Sequence, residues 1–270
     1  MQAKTILVTG ATDGIGKQTA LELAQMGAHL LVHGRNQTKV NETVAWIQPK
    51  AGHERVEGVV ADLSSLGQVR RLAKEVASRC ERLDVLLHNA GVYMTQHRLT
   101  VDGYEMTFAV NHLAPFLLTH LLLPLMQKNT PARLITVSSA VHQRGRIEFD
   151  NLQAEKQFNP YATYAQSKLA NVLFAYECAE RLAGTGITSN TLHPGVITTK
   201  LLAQGFNMTG DTVEAGAATS VYLASAPELA ETTGQYFNKK RATPSASATQ
   251  DRELRAELWR VSEKLVGISG

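Results

Sequence analysis

Near the amino terminus an apolar run meets a glycine-rich turn and then a helical pattern, and this succession limits the fold more than any other feature of the chain. Lys4 to Thr9 is β-branched and apolar without alternation, as in a strand buried on both faces. Gly10-Ala11-Thr12-Asp13-Gly14-Ile15-Gly16 follows at once, and Lys17 to Met26 carries helical spacing through Ala20, Leu23 and Ala24. The glycines permit a tight turn and a close backbone approach, while a helix amino terminus offers unpaired N–H groups and a favourable dipole to an anion. Strand, turn and helix in that order are the setting of a dinucleotide phosphate cradle. The spacing here is Gly-x-x-x-Gly-x-Gly, not Gly-x-Gly-x-x-Gly.

Further strand-like runs end in polar residues. His29 to His33 leads into Gly34-Arg35-Asn36, where an acid would bind a ribose 2′-hydroxyl; an arginine stands there instead, and a guanidinium suits a 2′-phosphate. NADP(H) is therefore the expected cofactor, with NAD(H) second. Val56 to Val60 runs into Ala61-Asp62-Leu63-Ser64, Leu83 to Leu87 into His88-Asn89-Ala90-Gly91, and Leu134 to Val137 into Ser138-Ser139. Strand-like and helix-like segments alternate, which predicts an α/β chain built on a doubly wound parallel sheet. Ligands of such sheets bind at the carboxyl ends of the strands. No linker, repeat or low-complexity tract divides residues 1–270, so one domain is expected.

Tyr164 and Lys168 stand four residues apart, on one face of a helix. A free tyrosine has a pKa of about 10, and a cation held close favours the phenolate. The same spacing also suits an exposed helix face with a lysine stem along an aromatic ring.

In order along the chain, Thr9-Gly10-x-x-x-Gly14-Ile15-Gly16, Asn89-Ala90-Gly91, Asn111, Ser139, Tyr164-x-x-x-Lys168 and Pro194-Gly195 resemble the short-chain dehydrogenases/reductases, from about Thr5 to Gly267. Gly103-Tyr104-Glu105, Val110-Asn111-His112-Leu113, Ser167-Lys168-Leu169-Ala170-Asn171 and Leu258-Trp259-x-x-Ser262 are similar to the group holding retinol dehydrogenases, protochlorophyllide reductases and the oxidoreductase domain that follows WW domains. The resemblance implies a Rossmann domain with a seven-stranded parallel sheet flanked by helices, moving a hydride between nicotinamide and a carbonyl or alcohol.

It also implies the site. Tyr164 would be the general acid/base and Ser139, the second of two serines, would hold the substrate oxygen. Lys168 would serve both the phenol and the nicotinamide ribose. Asn111 would break a helix locally and keep a water in a proton relay. The cofactor would meet Gly10, Thr12, Asp13, Gly14, Ile15 and Gly16, then Arg35 and Asn36. Asp62 with Leu63 would bind the adenine, and Asn89 would lie beside the adenosine ribose. Ala90, Gly91, Pro194 and Gly195 would also meet the cofactor, and the Ile197 backbone and Thr199 would hold the nicotinamide carboxamide. His88 departs from the pattern, where an asparagine is usual.

Net charge is +3 on a charged fraction of 19%, too mild for a nucleic-acid partner. Cys80 and Cys178 stand far apart, and nine histidines lack metal-site spacing, so no metal is expected. Lys239-Lys240-Arg241 reads as a solvated loop. Leu113 to Met126 reads as a buried helix, shorter than the roughly 20 apolar residues that cross a bilayer. With the first strand starting almost at Met1, a cytoplasmic chain without a membrane anchor is expected. Tyr93, Met94, Phe149, Tyr161, Leu201, Phe206 and Met208 are the candidate pocket mouth, Lys200 to Asp211 the candidate lid, and Ala140 to Thr163 a candidate wall. These mostly apolar groups suit a lipophilic small-molecule carbonyl or alcohol. Asp251 to Val266 should be a helix packed on the core through Leu254, Leu258, Val261 and Leu265. A homo-oligomer is left open. The rival is a catalytically silent NADP-binding regulator or scaffold of the same fold, which would be expected to lose Ser139, Tyr164 or Lys168.

Overall fold

The computed structural model describes residues 1–2, 4–206 and 208–268, so Asn207 of the expected lid lies outside the described residues. β1 (Thr5–Val8) is buried along its whole length: Ile6 and Val8 turn to one face of the sheet and Leu7 to the other. Asp13 caps α1 (Gly14–Gln25) by accepting from Gly14 N, so the helix begins inside the glycine-rich turn, earlier than the side-chain spacing indicates. β2 (His29–Gly34), α2 (Gln37–Ala51), β3 (Val56–Val60), α3 (Leu66–Arg79) and β4 (Val85–His88) continue the alternation. One helical stretch follows: α4 (Met106–Phe108), a π turn (Ala109–Leu113) and α5 (Ala114–Gln127). Then come β5 (Ala132–Val137), α6 (Pro160–Arg181), β6 (Ile187–His193), α7 (Lys200–Phe206), α8 (Val213–Ser225), β7 (Tyr236–Asn238), β8 (Arg241–Ala242) and α9 (Arg252–Val266).

The sheet order is β3-β2-β1-β4-β5-β6-β7-β8. Seven strands are parallel as expected; the eighth, β8, is antiparallel and corrects the strand count. Its cause is local. Lys239 and Lys240 both take left-handed backbone, φ 49° and 62°, as a two-residue hairpin loop requires. The basic run is therefore a turn that folds the chain back.

Helices cover both faces. α1, α2 and α8 pack with Ile6, Val8, Leu87 and Val137 on one side; α3, α5, α6 and α9 pack with Leu7, Leu86 and Leu134 on the other. The helical stretch Met106–Gln127 is long and apolar enough to cross a membrane by length and composition, and 78% of its most apolar window is buried within the protein. It serves as a core helix. The neighbours β1 and β4 mark where the strand order reverses, and the crevice beyond their carboxyl ends is where ligands of this architecture bind.

Candidate active site

The cradle is built by close backbone approach. A Cβ on Gly10, where φ is +65°, would lie 2.8 Å from Ala90 Cα, and one on Gly16 would lie 2.3 Å from Asn89 Nδ2. Asn89 Nδ2 donates to the carbonyls of Thr9 (2.9 Å) and Gly10 (3.1 Å), while Thr9 Oγ1 accepts from the backbone N–H groups of Asn89 and Ala90. His33 ties the turn to the next strand: Nδ1 accepts from Gly10 N at 3.2 Å and Nε2 donates to Ala61 O at 3.0 Å. Burial holds the His33 pKa down to about 4, so the ring is neutral, and the Gly10 donor fixes its tautomer.

The loop after β6 folds over this turn. A Cβ on Gly14 would meet Thr199 Cγ2 at 3.5 Å, and Ile15 and Ile197 both pack against Gly216. Pro194 and Gly195 (φ +105°) form the bend that carries the loop there. Thr199 Oγ1 accepts from Leu202 N and starts α7. Lys200 pairs with Asp13, which lowers the Asp13 pKa. The Thr12 methyl group packs over Gly34. At the end of β2, Arg35 is exposed and forms no ion pair among the described residues. Asn36 caps α2, its side chain accepting from Lys39 N. Asp62 accepts from Ser64 N at 2.9 Å, and the Leu63 side chain enters the core. Glycines held by close backbone approach, the α1 amino terminus within that turn and an unpaired guanidinium fit a dinucleotide.

Tyr164 and Lys168 project from the first turns of α6, which starts at Pro160 behind the Asn159 cap. Ser139 neighbours the Tyr164 hydroxyl and draws its pKa down, while Ser138 turns away and donates to Lys168 O at 2.7 Å. Lys168 Nζ donates to Val137 O at 3.1 Å and lies 5.6 Å from the Tyr164 ring centroid. A Cβ on Gly91 would sit 3.4 Å from Lys168 Nζ and 3.5 Å from Asn111 Oδ1. Asn111 lies in the π turn; it accepts from Val92 N (2.8 Å) and donates to Val92 O (3.0 Å) and Ser167 Oγ (2.9 Å). Asn111, Ser139, Tyr164 and Lys168 thus converge beyond the carboxyl ends of β4 and β5.

The electrostatics differ from the simple reading of the Tyr-x-x-x-Lys spacing. Burial pushes the Tyr164 phenol well above its ordinary value, with Ser139 opposing, and burial lowers Lys168 to about 8. The ammonium is bonded to a carbonyl rather than to the phenol, so desolvation wins over attraction.

An aromatic wall stands over Tyr164. Tyr93 and Phe206 lie 5.3 and 6.1 Å from its ring, 5.2 Å from each other, and Tyr161 meets Phe206 at 6.3 Å. Phe206 ends α7, so the segment read as the candidate lid begins as a short helix. Phe149 is partly buried and packs against the core. Sequence reasoning passed over His33, whose signal is an imidazole at a buried strand end that must find two backbone partners.

The family model described as short chain dehydrogenase matches residues 4–210. Human retinol dehydrogenase 13 is 41% identical over 281 residues, covering 98% of this chain and 85% of that protein. An uncharacterized protein from Mycobacterium Paratuberculosis has a similar structure, with TM-score 0.84 and 32% identity over 99% of this chain and 95% of that one. A short chain dehydrogenase from Escherichia coli CFT073, complexed with NADPH, has TM-score 0.75 and 27% identity over 89% of this chain and 98% of its own. The chain belongs to the short chain dehydrogenases, in their retinol dehydrogenase group, and is an oxidoreductase of CH–OH and carbonyl groups.

Proposed function

We propose that the chain is an NADP(H)-dependent enzyme that interconverts a lipophilic aldehyde or ketone, retinoid-like in character, with its alcohol, using Tyr164 as general acid/base. The observation that carries this reading is the buried Tyr164 hydroxyl with Ser139 and Lys168 beside it, beneath an aromatic wall. When bound, the nicotinamide supplies or accepts the hydride. Gly10, Gly14, Gly16 and the α1 amino terminus would hold the pyrophosphate, and Arg35 the 2′-phosphate.

The proton is this chain's task. A carbonyl oxygen entering between the Ser139 and Tyr164 hydroxyls would accept from both. Ser139 then orients that oxygen, and Tyr164, fully protonated near neutral pH, delivers its proton. Lys168 favours the phenolate that remains. Asn111 ties the Val92 loop to α6 through Ser167 and so keeps the backbone beside Lys168 in place.

Two findings support the finer points. The unpaired Arg35 and the NADPH in the Escherichia coli structure support NADP(H). Tyr93, Tyr161 and Phe206, together with a relative named for retinol, support a lipophilic substrate. The test is an NADPH-consumption screen over aldehydes, ketones, quinones and retinoids, with dissociation constants for NADPH and NADH measured in parallel. Turnover of lipophilic carbonyls with tighter NADPH binding is expected. Tight NADPH binding with no turnover of any class would favour the silent regulator.

A further inference from the structure

His112 and Ser262 stand 150 residues apart in sequence and meet in a buried hydrogen bond, His112 Nε2 to Ser262 Oγ at 2.8 Å. Both belong to stretches on which the family likeness rests, yet neither touches the crevice. Ser262 donates its own proton to Leu258 O at 2.7 Å, so its oxygen must accept and His112 must donate. Burial keeps the imidazole neutral.

His112 is the neighbour of Asn111 within the π turn, which closes through Ala114 N to Ala109 O. A π turn carries an extra residue and poorer hydrogen bonding than α-helix, and it persists where surrounding contacts hold its register. Asn111 is fastened on one side by Val92 and Ser167. His112 is fastened on the other by Ser262 and by the rings of Phe108, Phe116 and Phe174, 5.1 to 6.2 Å away. A slip back to regular α-helix would turn this segment by the arc of one residue, about 100°, and would strip Asn111 of its partners.

We propose that Ser262 is a positioning residue for the reaction: through His112, α9 holds the π register that seats Asn111 beside Lys168. The proposal rests on the reading of Asn111, Tyr164 and Lys168 as the catalytic group. α9 has its own anchors, since Trp259 packs on Phe116 at 4.9 Å and Arg255 pairs with Glu180. Removing one hydroxyl therefore leaves the helix seated.

The experiment compares Ser262→Ala, Ser262→Thr, His112→Phe and Asn111→Ala in the full chain, with NADPH and the best carbonyl from the screen. Ser262→Ala should lower kcat about tenfold, displace the pH profile of kcat, and leave KM and the NADPH dissociation constant unchanged, because alignment for proton transfer is lost and binding is not. Ser262→Thr should restore both kcat and its profile. His112→Phe fills the aromatic cage without a donor and should behave as Ser262→Ala does, which keeps the test alive if the latter folds poorly. Wild-type kcat and pH profile in Ser262→Ala or His112→Phe, beside an impaired Asn111→Ala, would overturn this proposal alone. Wild-type kcat in Asn111→Ala would overturn the catalytic reading and the proposal with it.

Discussion

Tyr164 and Lys168 are buried together, and burial acts on them in opposite senses: the phenol is pushed up and the ammonium pulled down to about 8. A tyrosine so protonated is a ready acid, so Tyr164→Phe should lower kcat by roughly 10²–10⁴-fold while NADPH affinity stays near wild type. Steady-state kinetics beside a fluorescence titration of NADPH checks this; more than a tenth of wild-type turnover would move attention to Tyr161. Lys168 gives a pH signature. If its charge helps hold the cofactor, NADPH binding should weaken as pH rises through about 8, and Lys168→Ala should bind weakly without that dependence. The stability effect has the opposite sign. Between about 8 and the ordinary lysine value of 10.5 the unfolded chain holds the proton that the native chain has lost, so this residue makes the fold more stable as pH rises. At the far end of the crevice, Arg35→Asp removes a charge-assisted contact of about 1.5–3 kcal/mol and adds repulsion, so the NADPH dissociation constant should rise at least tenfold with NADH little changed. Equal affinities for both cofactors in the wild type would contradict that assignment.

The glycine-rich turn acts as an element because three layers of backbone meet in it. Gly10→Ala places a methyl group 2.8 Å from Ala90 Cα on left-handed backbone, a strain of about 1–3 kcal/mol. The turn and the Asn89-Ala90-Gly91 loop must then separate, so cofactor affinity should fall more than thermal stability does. Calorimetric titration beside a melting curve separates the two, and unchanged NADPH affinity would contradict it. This element was legible in the sequence because strand, turn and helix are contiguous, and the same holds for Tyr164 and Lys168, one turn apart on α6. The strand ends bearing Arg35, Asp62, Asn89 and Ser139 were legible for a second reason: a parallel sheet gathers its carboxyl ends whatever the intervening helices do. What escaped depends on contacts between distant segments or on backbone geometry. His33 works through two backbone groups, one of them 28 residues away. β8 exists because two lysines accept left-handed backbone. The break at Asn111 was expected from the family resemblance and is the π turn, but the His112–Ser262 bond that crosses to α9 has no local pattern.

Across the whole molecule, five histidines among the described residues are buried with pKa values lowered chiefly by burial, His142 among them, and four have the largest shifts: His33 and His193 to about 4, His88 and His112 to about 3. They lie at the ends of β2, β4 and β6 and in the π turn, so they hold several parts of the crevice together. An unfolded histidine takes up a proton near pH 6.5, whereas these four remain neutral until the pH is near 4 or below. Between those limits the unfolded chain binds more protons than the native one, and stability must fall as the pH falls. Each group contributes up to about 1.4 kcal/mol per pH unit. Glu105 opposes this, since burial raises its pKa and it takes up a proton in the native state first. Near pH 5 unfolding should therefore absorb about three to four protons, read from the slope of urea-unfolding free energy against pH. An uptake of fewer than about two would show that the imidazoles are more accessible to water than this packing implies. His88→Asn gives a separate arm, because it removes one titrating ring that is held by Thr119 Oγ1 at 2.7 Å and by the edge of Phe174. The proton uptake should then fall by about one, with the crevice residues Asn89 and Gly91 left in place and NADPH affinity unchanged.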